Sequence, residues 1–208
     1  MSKNKLLLLA DREEKALWDD WSDQTKETLS DIKLILSAGD LDADYLEFLV
    51  TMLNVPLVYV RGNHDTSYDD KPPEGCMNAD GRIVEASGFR ILGLGGSMRY
   101  KPGASDMYTE FEMKCRMLAL YPRLAAAKLS GKGTIDILLT HAPCKGYGDM
   151  EDPAHTGFEC FNSLHMMCRP GLHCFGHVHE EYGSFRRLQK HASGADLINA
   201  SGHYIYEL

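Results

Sequence analysis

Leu57-Val58-Tyr59-Val60-Arg61-Gly62-Asn63-His64-Asp65 is the stretch on which the reading of this chain turns. It begins as an apolar, β-branched run of the kind that forms a strand buried on both faces. It ends in a glycine and three polar residues of metal-binding type. The same pattern recurs outward along the chain. Lys5–Ala10 runs into Asp11, Leu34–Ala38 into Gly39-Asp40, Ile135–Thr140 into His141, and Leu172–Phe175 into Gly176-His177-Val178-His179. In open α/β sheets, ligands bind beyond the carboxyl ends of the strands. Five strand ends therefore bring three aspartates, an asparagine and four histidines toward one edge.

Helical patterns separate the first three strands: Glu13–Leu29, with Leu17, Trp21, Thr25 and Leu29 along one side, and Asp44–Leu53. The resulting β-α-β-α-β order predicts a parallel sheet with right-handed crossovers. Further on, Arg82–Ala86 and Phe89–Gly93 read as a hairpin. A helix is expected from about Asp106 to Leu129, broken or kinked at Pro122. A Gly- and Cys-rich loop then leads to short strands at Leu172–Phe175, Gly183–Arg187, Leu197–Ala200 and Tyr204–Glu207. The expectation is one α/β domain over residues 1–208, with two sheets.

Each polar residue alone has an ordinary explanation. An aspartate after a strand is usually a turn former or helix cap. His141 alone reads as a hydrogen-bonded loop residue, and Gly-Asn-His-Asp as a tight turn. Five such explanations ending at one edge are less probable together than one metal site. His177 and His179 are two apart in an extended segment and so share a side. The glycines before Asp40, Asn63 and His177 leave backbone room beside an ion.

Composition narrows the function. The run Leu6–Ala10 is too short for a membrane span or a secretory leader. Six cysteines without a C-x-x-C pair point to reduced thiols and a cytoplasmic setting. Cys168 and Cys174 lie near histidines, but their spacing matches no standard zinc pattern, so structural zinc is not expected. A net charge of −8 argues against a broad nucleic-acid-binding face.

The ordered set Asp11, Gly39-Asp40, Gly62-Asn63-His64-Asp65, His141 and Gly176-His177-Val178-His179 resembles the calcineurin-like metallophosphoesterase superfamily. The resemblance implies a β-sandwich of two mixed sheets flanked by helices, with a dimetal centre at one edge. By position, Asp40 resembles the carboxylate that bridges two divalent cations. Asn63, His141 and His177 resemble further ligands of one ion, and Asp11 and His179 ligands of the other. His64 resembles the catalytic histidine that assists the leaving group, with Asp65 as its partner. The implied activity is hydrolysis of a phosphate ester, a small phosphodiester first, by a water that the ions acidify. Small phosphorylated compounds are the expected partners; oligomeric state is left open.

One position departs from the family's pattern. Its usual Asp-x-His is Asp11-Arg12-Glu13 here. Glu13 either replaces the imidazole with an oxygen, favouring Mn²⁺, Mg²⁺ or Fe over Zn²⁺, with Ni²⁺ also a candidate, or opens the following helix. Substrate contacts are expected from 97–106, with Arg99 and Tyr100, and from 144–161, with His155 beside Asp149 and Asp152. Gly93-Leu94-Gly95-Gly96-Ser97 lacks the lysine of a phosphate loop and reads as a turn. The alternatives are a catalytically weak protein-interaction scaffold, as a retromer subunit of this superfamily is, and within enzymes a nuclease, a phosphomonoesterase or a protein phosphatase.

Overall fold

The computed structural model describes residues 5–129, 134–183 and 185–208. Its centre is the set of leucines that the first strands hold against a second sheet. β1 (Lys5–Ala10), β2 (Ile32–Ser37), β3 (Leu57–Tyr59) and β4 (Met77–Asn78) run parallel, and β13 (Gly202–Glu207) returns antiparallel beside β1. This five-stranded sheet has the order β13-β1-β2-β3-β4. The second sheet joins the hairpin β5 (Arg82–Ala86) and β6 (Phe89–Leu94) to β9 (Ile137–Thr140), β10 (Leu172–Phe175), β12 (Asp196–Asn199) and β11 (Leu188–Lys190). Its order is β11-β12-β10-β9-β6-β5, again parallel at the centre. β7 (Ser97–Met98) and β8 (Met107–Tyr108) form a small separate pair.

Alternation along the strands fills both faces. Leu6, Leu8, Leu34, Leu36 and Val58 of one sheet meet Ile91, Ile137, Leu139, Cys174 and Ile198 of the other. Leu7, Leu9, Ile35 and Leu57 point outward, onto α2 (Ala43–Leu53). Leu92, Leu94 and Leu138 face α3 (Glu110–Leu129) and α4 (Glu159–Cys168). The layers are helix, sheet, sheet, helix, as expected of two mixed sheets flanked by helices.

Four local expectations are corrected. Glu13–Leu29 is not one helix; it divides into a 3₁₀ turn, Lys15–Leu17, and α1, Asp23–Thr28. Ser22 restarts the chain by accepting the Thr25 N–H at 3.1 Å, while Trp18 and Trp21 pack their rings on Phe48 of α2 at 5.6 and 5.5 Å. Pro122 does not break α3, which continues through it. The strand expected at Gly183–Arg187 is found at Leu188–Lys190, and Ser184 lies outside the described residues. The Gly- and Cys-rich loop contains α4, whose first N–H groups carry no local cap. They bond instead to the carboxylate of Glu110 on α3, at 3.0 Å from Glu159 N and 2.7 Å from Cys160 N. Of Gly93–Ser97, read as a turn, Gly93 and Leu94 still belong to β6 and Ser97 opens β7; only Gly95 and Gly96 connect them, and the Gly96 N–H bonds to the Arg61 carbonyl at 2.8 Å.

No helix among the described residues is long and apolar enough to cross a membrane.

Leu8 is wholly buried between the sheets, whereas Leu129 at the end of α3 is 89% exposed. Leu8→Ala should therefore destabilise the protein by about 2–5 kcal/mol through the cavity it leaves. In thermal denaturation its midpoint should drop by roughly 5–15 °C, while Leu129→Ala should stay close to the parent.

Candidate metal centre

The carboxyl ends of β1, β2 and β10 turn sharply as soon as they leave their sheets. Asp11, Asp40 and His177 all occupy the left-handed region, at φ 66°, 57° and 70°. Side chains other than glycine adopt it rarely, and such strain gathers at functional sites. The turns are tight because glycines let the backbones close. A Cβ at Gly62 would sit 1.9 Å from Asp40 Oδ1, and one at Gly176 would sit 2.5 Å from the Ala10 Cβ.

Three of the expected ligands converge. Donor atoms of Asp40, His141 and His177 lie within 4.8 Å of one another. His141 is fully buried, and its Nδ1–H donates to the Ala38 carbonyl at 2.8 Å. That bond leaves Nε2 facing Asn63 Oδ1 at 3.1 Å and Asp40 Oδ2 at 3.4 Å. An imidazole lone pair and two oxygens thus share one spot, while Asn63 Nδ2 is buried without a partner. A cation suits this donor set; a neutral hydrogen-bond network does not.

The electrostatics agree. Burial pulls the His141 imidazole down, but the charges of Asp40 and Asp11 outweigh it and push it up to about 9. In the ion-free protein a proton is thus held where positive charge is wanted. Burial alone would raise Asp40, yet His141 and the His64 N–H hold it below the usual carboxylate range. Burial and His141 push His177 down to about 3, keeping it neutral. The His177 Nε2–H donates to the Ala154 carbonyl at 2.7 Å, which leaves Nδ1 as its donor atom.

The remaining residues divide. Both Asp11 oxygens accept the backbone N–H of His177, at 2.9 and 3.0 Å, so β1 and β10 meet at this carboxylate. His179 is half-buried and lies on the Tyr182 ring at 5.3 Å, with Glu181 3.8 Å from its Nδ1. Glu13 is exposed and stays outside the converging group. Its Oε1 accepts the Asp42 N–H at 2.9 Å, at the start of α2, so it supports that helix rather than one of its own. His64 is exposed above the group, its backbone N–H on Asp40 Oδ1 at 2.8 Å.

Asp65 is not placed as the partner of the His64 imidazole. Its Oδ2 accepts two backbone N–H groups instead, those of Asp40 at 2.9 Å and Gly62 at 2.7 Å. Arg99 is likewise engaged elsewhere: Nη2 donates to the Met107 carbonyl and pairs with Glu112 at 2.9 Å. Tyr100 is half-buried with Lys101 above its ring. Only His155 of the substrate candidates reaches the site. Its ring lies 5.2 Å from that of His177, and its Nδ1–H donates to Asp152 at 2.9 Å. Sequence reasoning missed Tyr182, whose ring lies against both His155 and His179. It also missed the Ala154 carbonyl, because a backbone acceptor leaves no mark on the sequence.

The calcineurin-like phosphoesterase family matches residues 13–181, and the chain belongs to that family. Its chemistry is metal-dependent hydrolysis of phosphate esters. More particularly, the chain is similar to the UPF0046 protein K07C11.7 of Caenorhabditis elegans, 26% identical over 172 residues, which are 75% of this chain and 59% of that one. It thus spans about three fifths of that relative. A second C. elegans UPF0046 protein, T07D4.2, is 43% identical over 51 residues, 24% of this chain and 13% of that one. Among solved structures, TT1561 of Thermus thermophilus superposes with a TM-score of 0.64 at 14% identity, over 97% of this chain and 90% of that one. Another crystal structure reaches 0.68 at 13% identity, over 99% and 95%. Both likenesses bear on the fold alone.

The Asp65 staple generates a contrast between two substitutions. Asp65→Ala frees both turns and should weaken Mn²⁺ binding by about 10–100-fold, the usual effect of an outer support. Asp65→Asn keeps an oxygen for both N–H groups and should bind Mn²⁺ within a few-fold of the parent. Calorimetric titration of the metal-free proteins measures both.

Proposed function

We propose that the protein hydrolyses a small phosphodiester with the help of two divalent cations, drawn from Mn²⁺, Fe, Mg²⁺, Ni²⁺ and Zn²⁺. The observation that carries this reading is the meeting of Asp40 Oδ2, Asn63 Oδ1 and His141 Nε2 at one buried point beside His177. Asp40, Asn63, His141 and His177 would hold one ion, and Asp11, Asp40 and His179 the other. When bound, such ions supply Lewis acidity to the phosphate and acidify a water.

The chain's own residues do the rest. Asp40 is held in place by its own N–H on Asp65 and by the His64 N–H on its Oδ1. The second bond ties the His64 backbone to the proposed bridging carboxylate, so the exposed imidazole stands over the group. From there it stabilises the departing oxygen or gives it a proton. His155, steadied by Asp152, lies beside His177, from where it would hold a phosphate oxygen.

The neighbouring loop bears on the charge of the substrate. An open cleft of about 880 Å³ beside the centre is lined by Lys145, Asp149, Met150, Glu151, Asp152 and Thr156. Its three carboxylates disfavour a long polyanion. That favours a small diester over nucleic acid. Free cysteines at all six positions suit a reducing, cytoplasmic setting.

One observation favours a second reading, a catalytically weak scaffold. Glu13 bonds to Asp42 and leaves the Asp11–His179 position with fewer side chains than the family's pattern supplies.

Metal-free protein reconstituted with each cation should hydrolyse bis-p-nitrophenyl phosphate faster than p-nitrophenyl phosphate. His64→Ala should lower kcat by about 10²–10⁴-fold with metal content unchanged, and Asp40→Ala should lose metal and turnover together. Two bound ions with no turnover on either ester would count against the diester. One ion or none, without turnover, would decide for the scaffold.

A further inference from the structure

Behind β9 and β10, on the face away from the Asp40 group, lies a second cluster that the proposed reaction does not use. Cys144, His165 of α4 and His173 of β10 have no exposed surface. Their donor atoms lie within 4.8 Å of one another. His173 Nδ1 is 2.9 Å from His165 Nε2 and 3.6 Å from Cys144 Sγ.

The surrounding hydrogen bonds determine where each proton sits. Thr140 Oγ1 gives its only hydrogen to the Ala142 carbonyl at 2.6 Å, so it can only accept from His173 Nε2, 2.8 Å away. His173 Nδ1 therefore presents a lone pair inward. On the other side, Asn162 donates its amide to the Lys145 carbonyl, and its Oδ1 accepts from His191 Nε2 at 3.1 Å. His191 Nδ1 accepts the Ser193 N–H at 3.0 Å, so the Ser193 hydroxyl at 2.9 Å is also a donor to it. The Ser193 hydroxyl lies 3.5 Å from His165 Nδ1, too far to fix the proton of that ring. In the ion-free protein His165 Nε2–H donates to His173 Nδ1 at 2.9 Å. The Cys144 thiol reaches the same nitrogen at 3.6 Å, so two neutral donors share one buried lone pair.

We propose that Cys144, His165 and His173 form a second metal site, for a soft d¹⁰ cation, with Cu(I) fitting better than Zn(II). A cation draws on the sulfur and both ring nitrogens at once, with the His165 hydrogen moved from Nε2 to Nδ1 on the side of Ser193. Thr140 already holds His173 in the tautomer that a metal takes. The donor set is one sulfur and two nitrogens, a trigonal arrangement that copper accepts. Zinc in closed sites takes four ligands. Charge points the same way. Binding releases the thiol proton, so Cu(I) on a thiolate and two neutral imidazoles leaves no net charge, whereas Zn(II) leaves one buried positive charge.

The test titrates the full chain anaerobically with Cu(I) against bicinchoninate, and in parallel with Zn(II) against a chromophoric chelator. Parent, Asp40→Asn, Cys144→Ser and His165→Gln are compared, and X-ray absorption is recorded on the loaded parent. The expected result is one Cu(I) per chain, kept in Asp40→Asn, with one sulfur and two nitrogens about the metal. Cys144→Ser and His165→Gln should each weaken it by more than about 100-fold, since losing a ligand exceeds the 10–100-fold effect of an outer partner. Should one variant fail to fold by circular dichroism, the other and the parent's sulfur signal decide. Tighter Zn(II) binding with the same variant dependence would support the site and reassign its ion. Equal affinity in parent, Cys144→Ser and His165→Gln, no sulfur ligand, or no ion beyond the Asp40 centre would overturn it.

Discussion

A buried carboxylate that accepts two backbone N–H groups holds the site together. Asp65 receives the N–H groups of Asp40 and Gly62 on one oxygen, and so ties the loop after β2 to the loop after β3. Asp40 in turn accepts the His64 N–H, and across the sandwich Asp11 accepts that of His177. These bonds keep three residues in left-handed backbone that the chain would leave if released. Each alone would be a modest hydrogen bond; to a charged acceptor under cover from water they are worth more. The strain is local, but the support reaches four strand ends and both sheets.

The strand-end chemistry was legible because it is local. A buried parallel strand writes itself as an apolar run, and the residue that follows it points to the common edge. Asp40, Asn63 and His141 were therefore placed by reading alone, as was the two-sheet architecture. Side-chain direction was not legible. Asp65 follows His64 in the chain, and adjacency suggested a partnership; the carboxylate instead turns back to the peptide groups behind it. Glu13 fell in a family position but bonds at the start of α2. Arg99 looked free and is paired with Glu112. None of these choices has a signature in composition or spacing.

The second cluster was invisible for a related reason. Cys144, His165 and His173 come from a loop, a helix and a strand, and no fixed interval links them. Cys168 and Cys174 stand nearer to histidines in the sequence and drew attention first. What assembles the cluster is α4 settling on β10, a tertiary event. It comes into view only when the ring contacts are followed inward from Thr140.

The cap of α4 also bears on the order in which the molecule comes together. A ten-residue helix is marginal in water, and this one draws its N-terminal acceptors from Glu110, 49 and 50 residues earlier. It cannot gain that support until α3 has docked. Such distant contacts form slowly, because a long loop must close before they reward the chain. The segment that ends at α4 carries Ala154 and His155, so the wall of the cleft belongs to the late part of folding.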